Sequence, residues 1–309
     1  MNFSKTINTG VFIAIVGIVL FSAKAVLVKL AYQYQVSAIH LLLFRMLFAF
    51  PFYLLIAFYV KPQNPDKIQK VDFLWIALFG FIGYYLASYF DFLGLQYIKA
   101  GLERIILFIY PTLVILISKI FFKTIISTKQ IIAILVTYLG VVIAFWGELN
   151  FESSNVMLGG FLVFLSALTY AAYLVGSGWL IPKFGVVPFT AYAMIVSTIC
   201  VLIHYLIIDR NSFLEYPYQV YVLGFLMAVF STLIPSFLVS LAIKKLGASN
   251  FSIIGSIGPI STIILAYIFL DEKLSFLQLV GAFIVILGIG IVSSKKVIPF
   301  FVLNYSKRK

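Results

Sequence analysis

Six ionisable residues interrupt long apolar stretches near the start of the chain. They are Lys24, Lys29, Arg45, Asp91, Glu103 and Arg104. A charge in apolar surroundings is costly, so such a residue marks either a functional site or a paired structural one. Four cations accompany two anions in this set, which leaves a net charge of +2. The set therefore predicts a positive region that attracts an anion.

Lys24 and Arg45 lie deepest in their apolar stretches. Both are predicted to bind the anionic group of a small ligand, such as a carboxylate or a phosphate, because arginine forms paired hydrogen bonds with these groups. The alternative is structural. In that case Arg45 pairs with Glu103, and Lys29 extends its ammonium group toward the surface.

Asp91, Glu103 and Arg104 are predicted to act in gating or in proton coupling. A structural alternative also stays open here, in which an Arg104–Asp91 ion pair holds two helices together. His204 is a further candidate proton acceptor, but a histidine near the end of an apolar stretch is more often simply solvated.

Hydroxyl groups and aromatic rings are predicted to complete the ligand site. The candidates are Tyr85, Ser88, Tyr170, Tyr173 and Ser256. Tyr170 and Tyr173 are three residues apart and therefore share a helix face. Two structural alternatives apply to this set. A serine hydroxyl can bond to the preceding helical turn, and tyrosine is common at membrane interfaces.

Motifs for enzyme chemistry are missing from the sequence. It has one cysteine, Cys200, which excludes a disulfide framework and a cysteine-based metal site. It has two histidines, and neither a phosphate-binding Gly-x-x-x-x-Gly-Lys-Ser/Thr nor a His-x-x-x-His or Gly-x-Ser-x-Gly pattern. We therefore expect no catalytic residues, no metal and no cofactor. A membrane-embedded enzyme or a receptor is a remote second class of function. A receptor would need a sizeable soluble region, and the predicted loops are short.

The composition predicts an all-α integral membrane protein. Hydrophobic residues make up 63% of the chain, charged residues only 10%, and the mean hydropathy is +1.13. A soluble domain carries about 25% charged residues. We expect ten transmembrane helices, the first of them retained because no cleavage site follows it. Their predicted ranges are 10–31, 38–60, 72–95, 98–121, 129–147, 156–180, 188–208, 220–243, 248–270 and 276–294.

Lysine and arginine predict the orientation of these helices. With the N-terminus in the cytoplasm, fifteen of these residues fall on the cytoplasmic side and only Lys99, Arg210 and Lys273 on the other. Both termini are therefore predicted to be cytoplasmic, with a basic tail at 295–309. This bias also accounts for the net charge of +12, so no nucleic-acid binding is expected.

An internal repeat divides the chain. Shifted by 148 residues, positions 95–143 align without a gap on 243–291, and thirteen of the 49 pairs are identical, including Pro111 with Pro259 and Gly140 with Gly288. The two prolines are predicted hinges, with a tolerated kink as the alternative. The predicted halves are 1–148 and 149–294. Five helices per half is an odd number, so the second half must be inverted in the membrane. None of the second-half positions that match the six ionisable residues is ionisable.

Both halves resemble the EamA repeat of the drug/metabolite transporter superfamily. The resemblance rests on the segment Leu95-Gln-Tyr-Ile-Lys-Ala-Gly-Leu with Pro111, on Gly247-Ala-Ser with Pro259, and on the turn Leu270-Asp-Glu-Lys-Leu. The first half departs from this pattern, since Thr124 stands where the second has Glu272. The resemblance implies ten helices, cytoplasmic termini and alternating access around a central cavity.

These observations together predict a secondary transporter in a bacterial inner membrane. We expect it to export or exchange small metabolites, with amino acids or related compounds as the first expectation. The alternative is an exchanger of organic anions or phosphorylated metabolites. The expected partners are the small-molecule substrate and the lipid bilayer, with proton coupling through Asp91 or Glu103 left open. The chain is expected to act as a monomer or a homodimer.

Overall fold

The computed structural model describes residues 3–98, 100–144, 146, 154–208, 214–269 and 275–293. Over these ranges the chain is helical, and they contain no β-strand. Outside the described residues lie the turn at 270–274, the tail at 295–309, and the three basic residues predicted on the non-cytoplasmic side, Lys99, Arg210 and Lys273. The helices are α1 Phe3–Tyr32, α2 Ala38–Tyr59, α3 Lys70–Gly80, α4 Ala87–Tyr97, α5 Ala100–Leu107, α6 Tyr110–Phe122, α7 Thr128–Ala144, α8 Ser154–Phe184, α9 Val186–Ile208, α10 Tyr218–Ala228, α11 Ile234–Leu246, α12 Ala248–Ile254, α13 Ile257–Phe269 and α14 Phe276–Ser293.

Seven helical stretches are long and apolar enough to cross a membrane: 8–32, 38–59, 70–97, 155–184, 186–208, 218–246 and 248–269. Three shorter apolar helices accompany them, at 110–122, 128–144 and 276–291. Large apolar side chains cover the outside of the molecule, among them Phe58 and Leu135. An apolar surface of this extent requires lipid rather than water. The chain is therefore a multi-pass membrane protein.

Local signals in the sequence define several helix ends. The Ser37 side chain accepts a hydrogen bond from the backbone N–H of His40 and so begins α2. Asp72 accepts from the backbone N–H of Gln69 at 2.9 Å and begins α3. Gly247 separates α11 from α12 with a φ of 79°, a left-handed conformation that favours glycine.

Two long helices contain a π-helical turn at matching positions of the repeat. Residues Phe81–Leu86 join α3 to α4, and Val229–Leu233 join α10 to α11. The two segments begin 148 residues apart, the same offset that aligns the two halves of the sequence. A π turn shifts the helix face by about one residue and is frequent at functional sites.

Two other helices are broken, again at matching positions. The stretch predicted as one helix over 98–121 is divided into α5 and α6, and its counterpart is divided into α12 and α13. Each break lies a few residues before the repeat-matched proline, Pro111 or Pro259. Proline lacks the N–H that would continue the hydrogen-bond ladder, which explains why the helix restarts there.

The packing of the two halves is also related by the offset. α1 packs mainly against α11 and α13 of the second half, and its counterpart α8 packs against α4 and α6 of the first. α7 packs along α14, where a methyl group added to Gly140 would lie 2.8 Å from the Gly281 carbonyl oxygen. The matching contact joins Gly288 to Ala133. In each pair of contacts the two halves exchange roles. This is the pattern expected when a two-fold axis relates the halves.

Candidate functional site

The buried charges of the first half come together between α1, α4 and α5. Lys24 Nζ lies 2.6 Å from Asp91 Oδ2, and Arg104 Nε lies 3.0 Å from Glu103 Oε2. All four residues are at most 4% exposed. The Asp91 and Glu103 carboxyl groups lie close enough to interact electrostatically. We call these four residues the charge cluster, and as two cations and two anions they balance.

The ion pairs differ from the two that the sequence suggested. The expected Arg45–Glu103 pair is wrong, because Arg45 Nη2 donates to Ser88 Oγ at 2.8 Å and the guanidinium lies 5.2 Å from the centre of the Phe92 ring. The expected Arg104–Asp91 ion pair is not the one observed, because Arg104 pairs with the adjacent residue Glu103. The rotation of each helix decides these partners, and spacing along the sequence does not reveal it.

Lys29 has a structural partner. Its Nζ donates to the backbone carbonyls of Leu95 at 2.7 Å and Ile98 at 2.9 Å, at the end of α4. The last carbonyls of a helix have no partner within the helix, and a cation there also offsets the negative end of the helix dipole. The side chain is only partly buried, so the expectation that it extends toward the surface stays a prediction.

A cavity of about 40 Å³ lies beside the charge cluster, at both helix breaks. One water occupies roughly 10–15 Å³ of such a volume, so the cavity has room for about three water molecules. It is too small for a metabolite in this conformation. Its walls come from both halves of the chain: Ile18, Phe21, Ser22, Arg104, Leu107, Phe108, Tyr110, Tyr170, Val239, Phe251, Gly255, Gly258 and Pro259.

Arg104 is the charged side chain that lines this cavity. Its Nε forms the ion pair with Glu103, but neither Nε nor Nη2 has a hydrogen-bond partner among the residues that the structure describes. The guanidinium group therefore joins the buried charge cluster to the cavity, with donor capacity left over.

Aromatic rings form much of the remaining wall. The Tyr110 and Tyr170 rings meet edge to face with centres 5.6 Å apart, and Phe21 stacks on Tyr170 at 6.0 Å. The Tyr110 hydroxyl lies directly against Gly255, so close that any Cβ there would overlap it. Tyr173 lies behind Tyr170 and is fully buried.

The structure brings only some of the predicted site residues to the cavity. Tyr170, Pro259 and Arg104 line it, and Pro111 lies next to the lining residue Tyr110. Ser256 follows Gly255 but donates its hydroxyl to the Ile253 carbonyl. The remaining predicted residues do not line this cavity, namely Lys24, Arg45, Tyr85, Ser88, Tyr173, Asp91 and Glu103.

Tyr85 belongs to a different cluster. Its hydroxyl lies 2.8 Å from Nδ1 of His204, whose ring is 4.5 Å from that of Tyr89.

Four residues that line the cavity, Ser22, Phe108, Tyr110 and Gly255, were not predicted from the sequence. The signal that points to the last three is their position just before the repeat-matched prolines.

The loop 60–69 ties the first half to the second at one end of the molecule. Asp72, just after this loop, forms an ion pair with Lys183 at 2.6 Å. The backbone N–H of Gln63 donates to the Phe184 carbonyl at 3.0 Å, and the Gln63 side chain accepts from Lys244 at 3.1 Å. We call these contacts the loop latch.

Over the described residues, no group of three histidine, cysteine or acidic side chains is placed to hold a metal ion.

Comparison with known proteins gives consistent matches across the chain. The model of the EamA-like transporter family matches residues 8–146 and again 157–294. Uncharacterized transporter YcbK of Bacillus subtilis is 32% identical over 289 residues, which cover 90% of this chain and 92% of that protein. Uncharacterized transporter YdfC of the same organism is 24% identical, with 87% of each chain covered. A solved crystal structure shares the fold with a TM-score of 0.75 at 13% identity, over 92% of this chain and 98% of that one.

Proposed function

Because the chain belongs to the EamA-like transporter family, we propose that it is a secondary transporter of small polar metabolites that works by alternating access. The family and the apolar helices show that the protein is a membrane transporter. Its mechanism, its cargo and its substrate site are proposed here. It places the protein in a bacterial inner membrane with both termini cytoplasmic, as a monomer or a homodimer.

The proposed architecture is two inverted repeats of five membrane helices. Seven long helices, the two shorter helices α7 and α14, and the broken α5–α6 together supply ten spans. The matched π turns, matched breaks and interchanged contacts support a division near residue 148, with residues 149–294 as the second repeat. In an inverted-repeat transporter the substrate site lies between the halves, at discontinuous helices.

The single observation that carries this function is the position of the cavity. It lies at both helix breaks, receives side chains from both halves and is lined by Arg104, whose guanidinium has nitrogens without a hydrogen-bond partner among the described residues. Alternating access requires that such a site open to one side at a time. The cavity is too small for a metabolite in this conformation, and the loop latch is a contact that would break when the halves separate at that end.

We infer that the cargo is an amino acid or a related compound, exported or exchanged. The free donor of Arg104 would hold its carboxylate, and the aromatic wall would accommodate its apolar part. The same donor favours a second candidate cargo, an organic anion or a phosphorylated metabolite. The adjacent carboxyl groups of Asp91 and Glu103 support proton coupling, because a proton taken up by either one removes a repulsion between like charges.

Counterflow in proteoliposomes tests this function. Vesicles loaded with an unlabelled compound are expected to accumulate its labelled form only if the protein carries it. The panel holds the standard amino acids, pyruvate, succinate and glycerol phosphate, with protein-free vesicles as the control. Uptake of at least one compound above the control supports the function. Folded, inserted protein that accumulates none of them would falsify it for these cargo classes.

A further inference from the structure

We propose that Arg104 binds the anionic group of the substrate, and that Glu103 holds the guanidinium in the empty protein and yields it when the anion arrives. This rests on the proposed transport function and deepens it. It also moves the anion site away from Lys24 and Arg45, where the sequence placed it.

The other three cations of the apolar helices already have partners elsewhere. Lys24 is paired with Asp91, Arg45 donates to Ser88 and lies against Phe92, and Lys29 caps the end of α4. None of these side chains lines the central cavity. Arg104 is about as buried as Lys24 and Arg45, but its side chain is part of the cavity wall.

The free donor of Arg104 needs an acceptor. A buried N–H group without a partner carries an unfavourable desolvation cost, which a ligand oxygen in the cavity would remove. A guanidinium offers donors in a planar fork that matches two oxygens of a carboxylate or a phosphate. A neutral ligand of the same shape would not supply the two anionic oxygens that this fork binds.

The backbone at the helix break adds to this preference. α6 begins at Tyr110, which lines the cavity, so the positive end of this helix adjoins the same space as Arg104. The helix dipole stabilises an anion there. α13 begins at Ile257, beside the lining residues Gly258 and Pro259, and adjoins the cavity from the second half.

Charge balance explains the role of Glu103. The charge cluster is neutral when all four of its members are ionised, and a substrate anion adds one negative charge beside it. Glu103 and the anion then compete for one guanidinium. The groups that face Glu103 are Arg104 on its own helix, Lys24 and Lys29 on α1, and Asp91 on α4. Tyr170 on α8 lines the far side of the cavity.

Substitutions at the two residues are expected to act in opposite directions. The probes are the panel acid that wild type transports best and its amide, or the parent alcohol if that compound is a phosphate. Dissociation constants are measured by calorimetry on the purified protein in detergent. Arg104→Gln is expected to weaken binding of the acid by about ten- to a hundred-fold and to leave the amide or alcohol almost unchanged. Glu103→Gln removes the competitor and is expected to tighten binding of the acid.

Two further variants keep the test decisive. Arg45→Gln removes an equally buried guanidinium outside the cavity, and is expected to keep the wild-type ratio of acid to neutral affinity. If Arg104→Gln does not fold, Arg104→Lys retains the charge without the fork and is expected to bind the acid about tenfold more weakly than wild type.

The proposal is overturned if Arg104→Gln keeps the wild-type preference for the acid, if Arg104→Lys binds the acid as tightly as wild type, or if both single variants shift the acid affinity in the same direction. The last result would mean that the pair is only structural, because a structural pair loses the same contact whichever member is removed. Absence of wild-type counterflow for every probe is a different result, which counts against the transport function itself.

Discussion

Arg45 and Arg104 are both buried arginines of the first half, yet their surroundings differ. Arg45 donates to Ser88, lies against the Phe92 ring and does not line the cavity, whereas Arg104 lines it; each guanidinium keeps a nitrogen without a hydrogen-bond partner among the described residues. The sequence identified both residues as costly and worth explaining. It could not assign their partners, because these depend on how each helix is rotated about its axis.

Lys24 and Asp91 are expected to depend on each other for stability. Lys24→Met leaves a buried carboxylate without its cation, and breaking a buried pair in this way costs about 3–5 kcal/mol. We expect a large fall in the thermal unfolding midpoint in detergent, and recovery of much of it in Lys24→Met/Asp91→Asn. A double variant no more stable than Lys24→Met would show that the pair does not provide this stability.

At the scale of the element, the broken helices were only partly predictable. Pro111 and Pro259 indicated interruptions, and their identical offset indicated that the two are equivalent. The π turns at 81–86 and 229–233 contain no proline, and nothing in their residue types distinguishes them from an ordinary apolar helix. Tertiary packing decides such features, so the sequence of one chain does not reveal them.

Gly255 at the second break is expected to be essential to the cavity. A methyl group there would overlap the Tyr110 hydroxyl, so Gly255→Ala should displace the ring and reduce counterflow strongly. Gly290→Ala is the matched control, since a methyl group at Gly290 would meet no atom within 4 Å. If the overlap is the cause, Tyr110→Phe should restore part of the activity in the Gly255→Ala background. An active Gly255→Ala protein would contradict this account.

At the scale of the molecule, composition and the repeat were enough to predict a helical membrane protein with two related halves. The mutual packing of the halves was not predictable in detail. α1 packs mainly on helices of the second half, and α8 mainly on helices of the first. Contacts across so many intervening residues leave no periodic signal in the sequence.

The loop latch is expected to hold one end of the molecule closed. Lys183→Gln removes its ion pair but leaves the cap that Asp72 forms at Gln69. A loss of about 1 kcal/mol corresponds to roughly a fivefold rise in the open population. The measurement is the labelling rate of Ser22→Cys in the cavity, in a Cys200→Ser background.

Lys67→Gln provides the control for this experiment. Lys67 is an exposed residue of the same loop, so the substitution removes the same charge without touching the ion pair. We expect its labelling rate to match that of the background protein. Equal rates for Lys183→Gln and Lys67→Gln would show that the ion pair does not control opening.

The internal balance of the charge cluster has an electrical consequence. With all four of its members ionised, the charge cluster carries no net charge, so a membrane voltage does little work on it. The voltage acts on the cargo instead, at about 2.3 kcal/mol per elementary charge for each 100 mV. With the inside negative, an anion that travels without a proton is driven out of the cell. An anion of charge −1 that travels with one proton carries no net charge, so the voltage does not affect its transport.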